Sequence, residues 1–182
     1  LNHYSDNELL NKFRNSDTEQ YAFNLIVRKY QERLYWHIRR IVIDHDDTDD
    51  VLQNVFIKTW KGLPQFREDA NLYTWLYRIA TNESLTFIKK KKKDLFVSLE
   101  DNAHILIAKR SNGKDFSGDE IELKLQKAIL QLPEKQRVVF NMKYFDDKKY
   151  TEMAEILETS VGALKASYHH AVKKIEKYLT SD

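Results

Sequence analysis

The chain has 182 residues, 42% of them hydrophobic, enough to bury one large or two small cores. Its purely apolar runs, such as Leu25–Val27 and Ile105–Ile107, fall far short of the ~20 residues a membrane span needs, and the opening LNHYSDNELLNKF lacks the basic start and apolar stretch of a secretory signal. Cysteine is absent, which excludes disulfide scaffolds and thiolate chemistry and makes the cytoplasm the expected location, while a net charge of only +2 conceals basic clusters and one acidic block.

Four glycines and two prolines in the whole chain argue for helices with few connections, so the expected fold class is all-α. Between Tyr21 and Val42, the residues Phe23, Ile26, Val27, Tyr30, Leu34, Ile38 and Ile41 recur at helical spacing and predict one buried face. A second helix follows the acids Asp44 to Asp50, which suit a helix N-terminus, and carries Val51, Leu52, Val55, Phe56, Thr59 and Trp60 inward. A calcium loop is excluded here: counted from Asp44, its sixth and twelfth positions would need Gly and Glu but hold Asp49 and Val55. The outward residues Asp50, Gln53, Asn54, Ile57 and Lys58 form a polar strip around an apolar centre, suited to docking a partner protein. Gly62 and Pro64 should close this helix, leaving Gln65–Asn71 as a polar loop.

The segment Leu72–Lys93, LYTWLYRIATNESLTFIKKKKK, places aromatic residues beside five consecutive lysines. Aromatic faces stack on bases and ammonium groups neutralise phosphates, the pairing that a binder of exposed nucleic-acid strand needs. Trp75, Leu76 and Ile79 share a stripe expected in the core. Tyr73, Tyr77, Arg78 and the lysines, Lys89 and Lys90 among them, are then the expected contacts.

Residues 94–118 read as a linker, with Gly113 and Gly118 in the aperiodic stretch AKRSNGKDFSGD. Residues 1–93 and 119–182 become the two domains. In the second, Leu123–Leu132 and Pro133–Phe145 predict two helices, and Tyr150–Leu157, Glu158-Thr159-Ser160 and Val161–Leu179 predict helix, tight turn and longer helix. Val161, Leu164, Tyr168, Ala171, Ile175 and Tyr178 form the buried stripe of the last helix, leaving Gly162, Lys165, Ala166, His169 and Lys173 facing outward, where a helix-turn-helix meets the major groove. No HExxH, Gly-rich phosphate loop or nucleophilic Cys supports an enzyme. His169 and His170 project about 100° apart, a poor metal pair, so neither metal nor cofactor is expected.

Together these segments resemble the bacterial RNA polymerase sigma factors of the sigma-70 type, within them the extracytoplasmic-function group. DVLQNVFIKTW at residues 50–60 resembles the helix that grips the clamp of the polymerase's largest subunit, and YTWLYRIATN at 73–82 the element that recognises and melts the minus-10 region. LPEKQRVVF at 132–140 resembles the start of the second sigma domain, and Tyr150–Lys174 its minus-35 reader. The resemblance implies a non-enzymatic specificity subunit whose partners are core RNA polymerase, promoter DNA and an anti-sigma factor. It implies core-polymerase contacts at Asp50, Gln53, Asn54, Ile57 and Lys58, and capture of a flipped minus-10 base by the loop from Arg67 to Asn71 with Tyr73, Tyr77 and Arg78. In the second domain it implies DNA contacts at Lys148, Lys149, Ser160, Lys165, Ala166, His169, Lys173 and Lys174. Asn54 stands where an acid is common, which implies a weaker clamp contact, and Thr86 where Asp is frequent; Ser167, His170 and Val172 stand where arginines are frequent, so an unusual minus-35 sequence is expected. A stand-alone helix-turn-helix repressor or activator is the alternative; it accounts for the C-terminal half but not for the strip on residues 50–58.

Overall fold

The computed structural model describes residues 4–67, 71–98 and 120–180, with residues 92–98 and 120–123 as backbone alone. All regular structure among them is helical: α1 (Asp6–Phe13), α2 (Glu19–Val42), α3 (His45–Gly62) with a 3₁₀ turn at Leu63–Gln65, α4 (Leu72–Ser98), α5 (Glu120–Leu130), α6 (Glu134–Tyr144), α7 (Tyr150–Leu157) and α8 (Val161–Thr180). Two compact units divide the chain at residues 1–86 and 87–182. The expected linker start at Asp94 is corrected, because α4 continues through Ser98; the rest of that segment, Gly113 and Gly118 included, lies outside the described residues.

In the first unit, α1 was not anticipated. It begins with a capping box in which the Ser5 Oγ accepts the Glu8 N–H at 3.3 Å and the Glu8 carboxylate accepts the Ser5 N–H at 2.7 Å. These bonds to Ser5 hold the Glu8 carboxyl below its ordinary pKa. Leu9, Leu10 and Phe13 of α1 are buried, each worth ~1.5–3 kcal/mol by area. They meet α2, whose buried face is Ala22, Ile26, Tyr30, Leu34, His37, Ile38 and Ile41. Asp6 ties the two together: Lys29 Nζ lies 2.7 Å from its carboxylate, and the Tyr30 hydroxyl donates to the same oxygen at 2.5 Å.

Asp44 caps α3 as expected, accepting the Asp47 N–H at 3.1 Å. Val51, Val55 and Thr59 turn inward. Buried hydroxyls are satisfied locally, since Thr59 donates to Val55 O at 2.8 Å and Ser84 to Ala80 O at 2.7 Å. Gly62 belongs to α3 and serves packing: a Cβ there would stand 3.0 Å from the Trp75 ring, so a larger residue would push the indole outward by a few tenths of an ångström. Trp75, expected in the core, is half-buried instead, its ring 4.9 Å from Phe66.

In the second unit, α5, α6 and α8 share a core of Ala128, Ile129, Leu132, Phe140, Ala171 and Ile175. Met142, Met153, Ile156 and Leu164 are also buried. Helices α7 and α8 form the expected helix-turn-helix. Glu158 ends α7 in the left-handed region, at φ 50° and ψ 47°, and the Ser160 Oγ caps α8 by accepting the Ala163 N–H at 3.2 Å. A side chain in that conformation costs ~1 kcal/mol relative to glycine. Replacement Glu158→Gly should therefore raise the urea midpoint, by about 0.5–1 kcal/mol of stability.

Burial, followed by the bond to Asp6, raises the Tyr30 hydroxyl well above its ordinary pKa. A raised folded-state value contributes stability that is complete below the unfolded pKa of 10.0 and declines as pH rises beyond it. Urea titrations should show Tyr30→Phe less stable than the parent at neutral pH by ~1.5 kcal/mol, with the difference shrinking above pH ~10.

Candidate nucleic-acid interface

Helix α4 lies on α2 through an aromatic ladder. Tyr30 and Tyr73 stack at 5.6 Å and 22°, Tyr73 meets Tyr77 edge-on at 5.6 Å, and Tyr77 lies 3.8 Å from the His37 ring. Thr81 closes the series: its hydroxyl donates to Tyr77 O at 2.8 Å, so it can only accept from His37 Nε2, also at 2.8 Å. The proton of His37 is thereby assigned to Nε2. The sequence reading missed His37, whose place between Leu34 and Ile38 on the buried face of α2 was the available signal.

This ladder corrects one expected contact. Tyr77 is 0% exposed and packs against His37, so its ring is scaffold rather than a base platform. Its burial follows from a wide inward face on α4, comprising Leu72, Leu76, Tyr77, Ala80, Thr81 and Ser84. Leu76 lies in the core as expected, whereas Ile79 is half-buried. Tyr73 is half-buried at the open end of the ladder, with the Arg33 guanidinium 4.0 Å from its ring centroid. Asn71 caps α4, its Oδ1 accepting the Thr74 N–H at 2.7 Å, which leaves the amide nitrogen as its outward donor. Arg67, Arg78, Lys89 and Lys90 are exposed; residues 68–70 lie outside the described residues, as do the side chains of Lys92 and Lys93.

On α3 the strip forms as expected, with Asp50, Gln53, Asn54, Ile57 and Lys58 all exposed. Ile57 is 46% exposed, an apolar centre among polar neighbours. Lys58 is half-spent already, reaching Glu83 of α4 at 2.5 Å.

The second unit presents Lys165, Ala166, His169 and Lys173 on the open side of α8, with Lys149 and Ser160 exposed at the two helix starts. Lys148 is corrected as a phosphate anchor. It is 6% exposed, with Nζ 3.9 Å from Glu152, because Asp147 at φ 45° turns the backbone so that Lys148 N–H bonds Met142 O at 2.9 Å. Lys143 takes a place near it that the sequence reading did not assign: Lys143 and Lys165 lie 5.8 and 5.9 Å from the Tyr150 ring. Further along α8, Lys173, Lys174, Lys177 and His170 line a shallow basic cleft of about 460 Å³ with Gln136 of α6.

The model of sigma-70 region 2 matches residues 26–94, and that of sigma-70 region 4 matches residues 122–175. The chain is 32% identical to the RNA polymerase sigma-H factor of Pseudomonas aeruginosa over 98% of its own length and 96% of the relative's. It is 31% identical to the ECF RNA polymerase sigma factor SigW of Bacillus subtilis, covering 88% of this chain and 90% of that one. This chain belongs to the sigma-70 family, in its extracytoplasmic-function group. As a sigma factor it directs promoter-specific transcription through core RNA polymerase and is not an enzyme. Its fold is similar to that of CnrH, solved with the cytosolic domain of CnrY, at a TM-score of 0.68 and 21% identity over 97% of this chain and 98% of CnrH. A sigma factor RpoE, solved with the anti-sigma factor NepR from Bartonella quintana, gives 0.66 at 20% identity over 88% and 98%.

Within this sigma factor, the buried role of Tyr77 has a measurable consequence. Tyr77→Phe should stay within about 1 kcal/mol of the parent, and Tyr77→Ala should lose ~3–5 kcal/mol by urea unfolding, as deletion of a core aromatic does. Equal stability of Tyr77→Ala and the parent would return the ring to the surface.

Proposed function

We propose that the exposed strip on α3 docks core polymerase, that α4 and the loop before it hold the melted minus-10 strand, and that α8 reads the minus-35 element. The observation carrying this reading is the separation of roles on the two matched regions. Polar residues around an exposed Ile57 face outward on α3, while exposed cations and helix-capping polar groups gather on α4 and at the start of α8. Asn71 and Arg67 supply donors for an unstacked base, Arg78, Lys89 and Lys90 meet phosphates, and Tyr73 forms the aromatic edge of the site. Stacking is worth ~1–3 kcal/mol per base, similar to the cost of unstacking one, so a bubble requires polymerase and several contacts together. Isolated protein should bind duplex promoter weakly. Lys165, Ala166 and His169 enter the major groove, with Lys149, Ser160 and Lys173 on its phosphates. The site of action is then the cytoplasm.

An anti-sigma partner is proposed as well, supported by the solved complexes of CnrH and RpoE with their partners. It would cover the α3 strip and so compete with polymerase.

Run-off transcription with core polymerase on genomic fragments tests the reading. Defined starts are expected from the mixture and none from either component alone. Ile57→Ala with Gln53→Ala should weaken the complex with core polymerase about tenfold or more, and Lys165→Ala should reduce initiation without affecting that complex. Tight sequence-specific duplex binding without polymerase would favour a stand-alone regulator instead.

A further inference from the structure

The flank of α2 beside α4 has a composition that the docking strip on α3 does not share. Arg33 is exposed there, its guanidinium carbon 4.0 Å from the Tyr73 centroid, while Tyr30 stacks on the same ring at 5.6 Å. Two neighbouring cations of the first unit have carboxylate partners, Lys29 on Asp6 at 2.7 Å and Lys58 on Glu83 at 2.5 Å. Among the described residues Arg33 makes no such ion pair. A guanidinium held over a ring face keeps N–H donors available to the paired oxygens of a phosphate. One turn further along α2, Trp36 is 52% exposed, with the Tyr35 ring meeting it edge-on at 5.4 Å and 84°.

Direction on the helix groups Arg33 with Trp36 and sets both apart from Tyr35. At 100° per residue, Arg33 and Trp36 fall within about 60° of each other. Tyr35 points elsewhere and bonds His45 of α3 through its hydroxyl at 2.7 Å. Arg33 is instead fixed to α4 by Tyr73, immediately beside the Asn71 cap.

We propose that this flank of α2 is a second strand-binding surface, with Arg33 taking a backbone phosphate and Trp36 stacking on a base of the same displaced single strand held by α4. An arginine with no carboxylate partner beside an open indole matches the needs of single-stranded DNA, which offers a phosphate and a base face at each step. The proposal rests on the reading of α4 as the minus-10 element, since continuity with Tyr73 and Asn71 selects the ligand.

The test uses the full chain in complex with core polymerase and a promoter mapped by run-off transcription, offered as fully paired duplex and as a pre-melted bubble. Arg33→Gln and Trp36→Ala should each lower affinity for the bubble at least fivefold. Arg33→Gln should also flatten the log-log salt slope by ~0.7, as loss of one single-strand phosphate contact does, and Arg33→Lys should restore that slope. Complex formation with core polymerase and thermal midpoint should remain those of the parent in Arg33→Lys and Trp36→Ala. Parental bubble affinity and salt slope in the variants would overturn the proposal. Loss of polymerase binding in Trp36→Ala would overturn it too, by assigning the flank to a protein. If the parent holoenzyme itself fails to prefer the bubble over the duplex, the minus-10 reading of α4 fails, an outcome independent of any α2 variant.

Discussion

The seat of α4 on α2 decides what the first unit can present. It consists of the rings of Tyr30, Tyr73, Tyr77 and His37 in series, closed by the Thr81 hydroxyl between His37 Nε2 and Tyr77 O. Stacked and edge-on rings have preferred geometries worth ~0.5–1.5 kcal/mol beyond their buried area, and a buried imidazole needs its partner. Such a seat tolerates little rotation of α4. Turning the helix by one residue, about 100°, would bury Arg78 in place of Tyr77, so the ladder and the outward position of Arg78 are one constraint. The same seat draws in α3, because Gly62 admits the Trp75 ring and Lys58 reaches Glu83.

Charge is distributed by whether it has an internal partner. Lys29, Lys58 and Lys148 meet carboxylates and stabilise helix contacts, each modestly where exposed to solvent. Lys165 sits beside the Tyr150 ring, which orients a cation without neutralising it, while Lys143 shares that ring and also meets Asp147 at 3.2 Å. A near-neutral chain can therefore display local positive surfaces while its acidic residues cap helices and pair with buried or half-buried lysines. A net charge of +2 is thus compatible with the proposed promoter contacts.

Much of this organisation was legible in the sequence, and what was not has identifiable causes. Long amphipathic periods marked α2, α3 and α8, and the Glu158-Thr159-Ser160 turn between two such periods marked the helix-turn-helix. Helix α1 was missed because eight residues give little periodicity, although Ser5 followed by Glu8 is the written form of a capping box. Tyr77 was misread because α4 buries a wider arc than a single stripe; once His37 is recognised as core, a facing aromatic residue on α4 becomes the natural partner. Lys148 was misread for a backbone reason. The left-handed Asp147 redirects the chain, and nothing in a run of two lysines announces that one of them turns inward. Arg33 and Trp36 were invisible as a pair, because their significance comes from Tyr73, forty residues later in the chain.

The proposed minus-10 role requires α4 to face the strand with Arg78 outward and Tyr77 inward. Site-specific photocrosslinking measures this directly, with p-azidophenylalanine, close in size to tyrosine, placed at 77 or at 78 in the holoenzyme on a pre-melted promoter. Crosslinks to the displaced strand from position 78 and their absence from position 77 are the predicted result. Strong strand crosslinks from position 77 in a holoenzyme that still initiates transcription would contradict the account, since the ring would then have left its seat on His37.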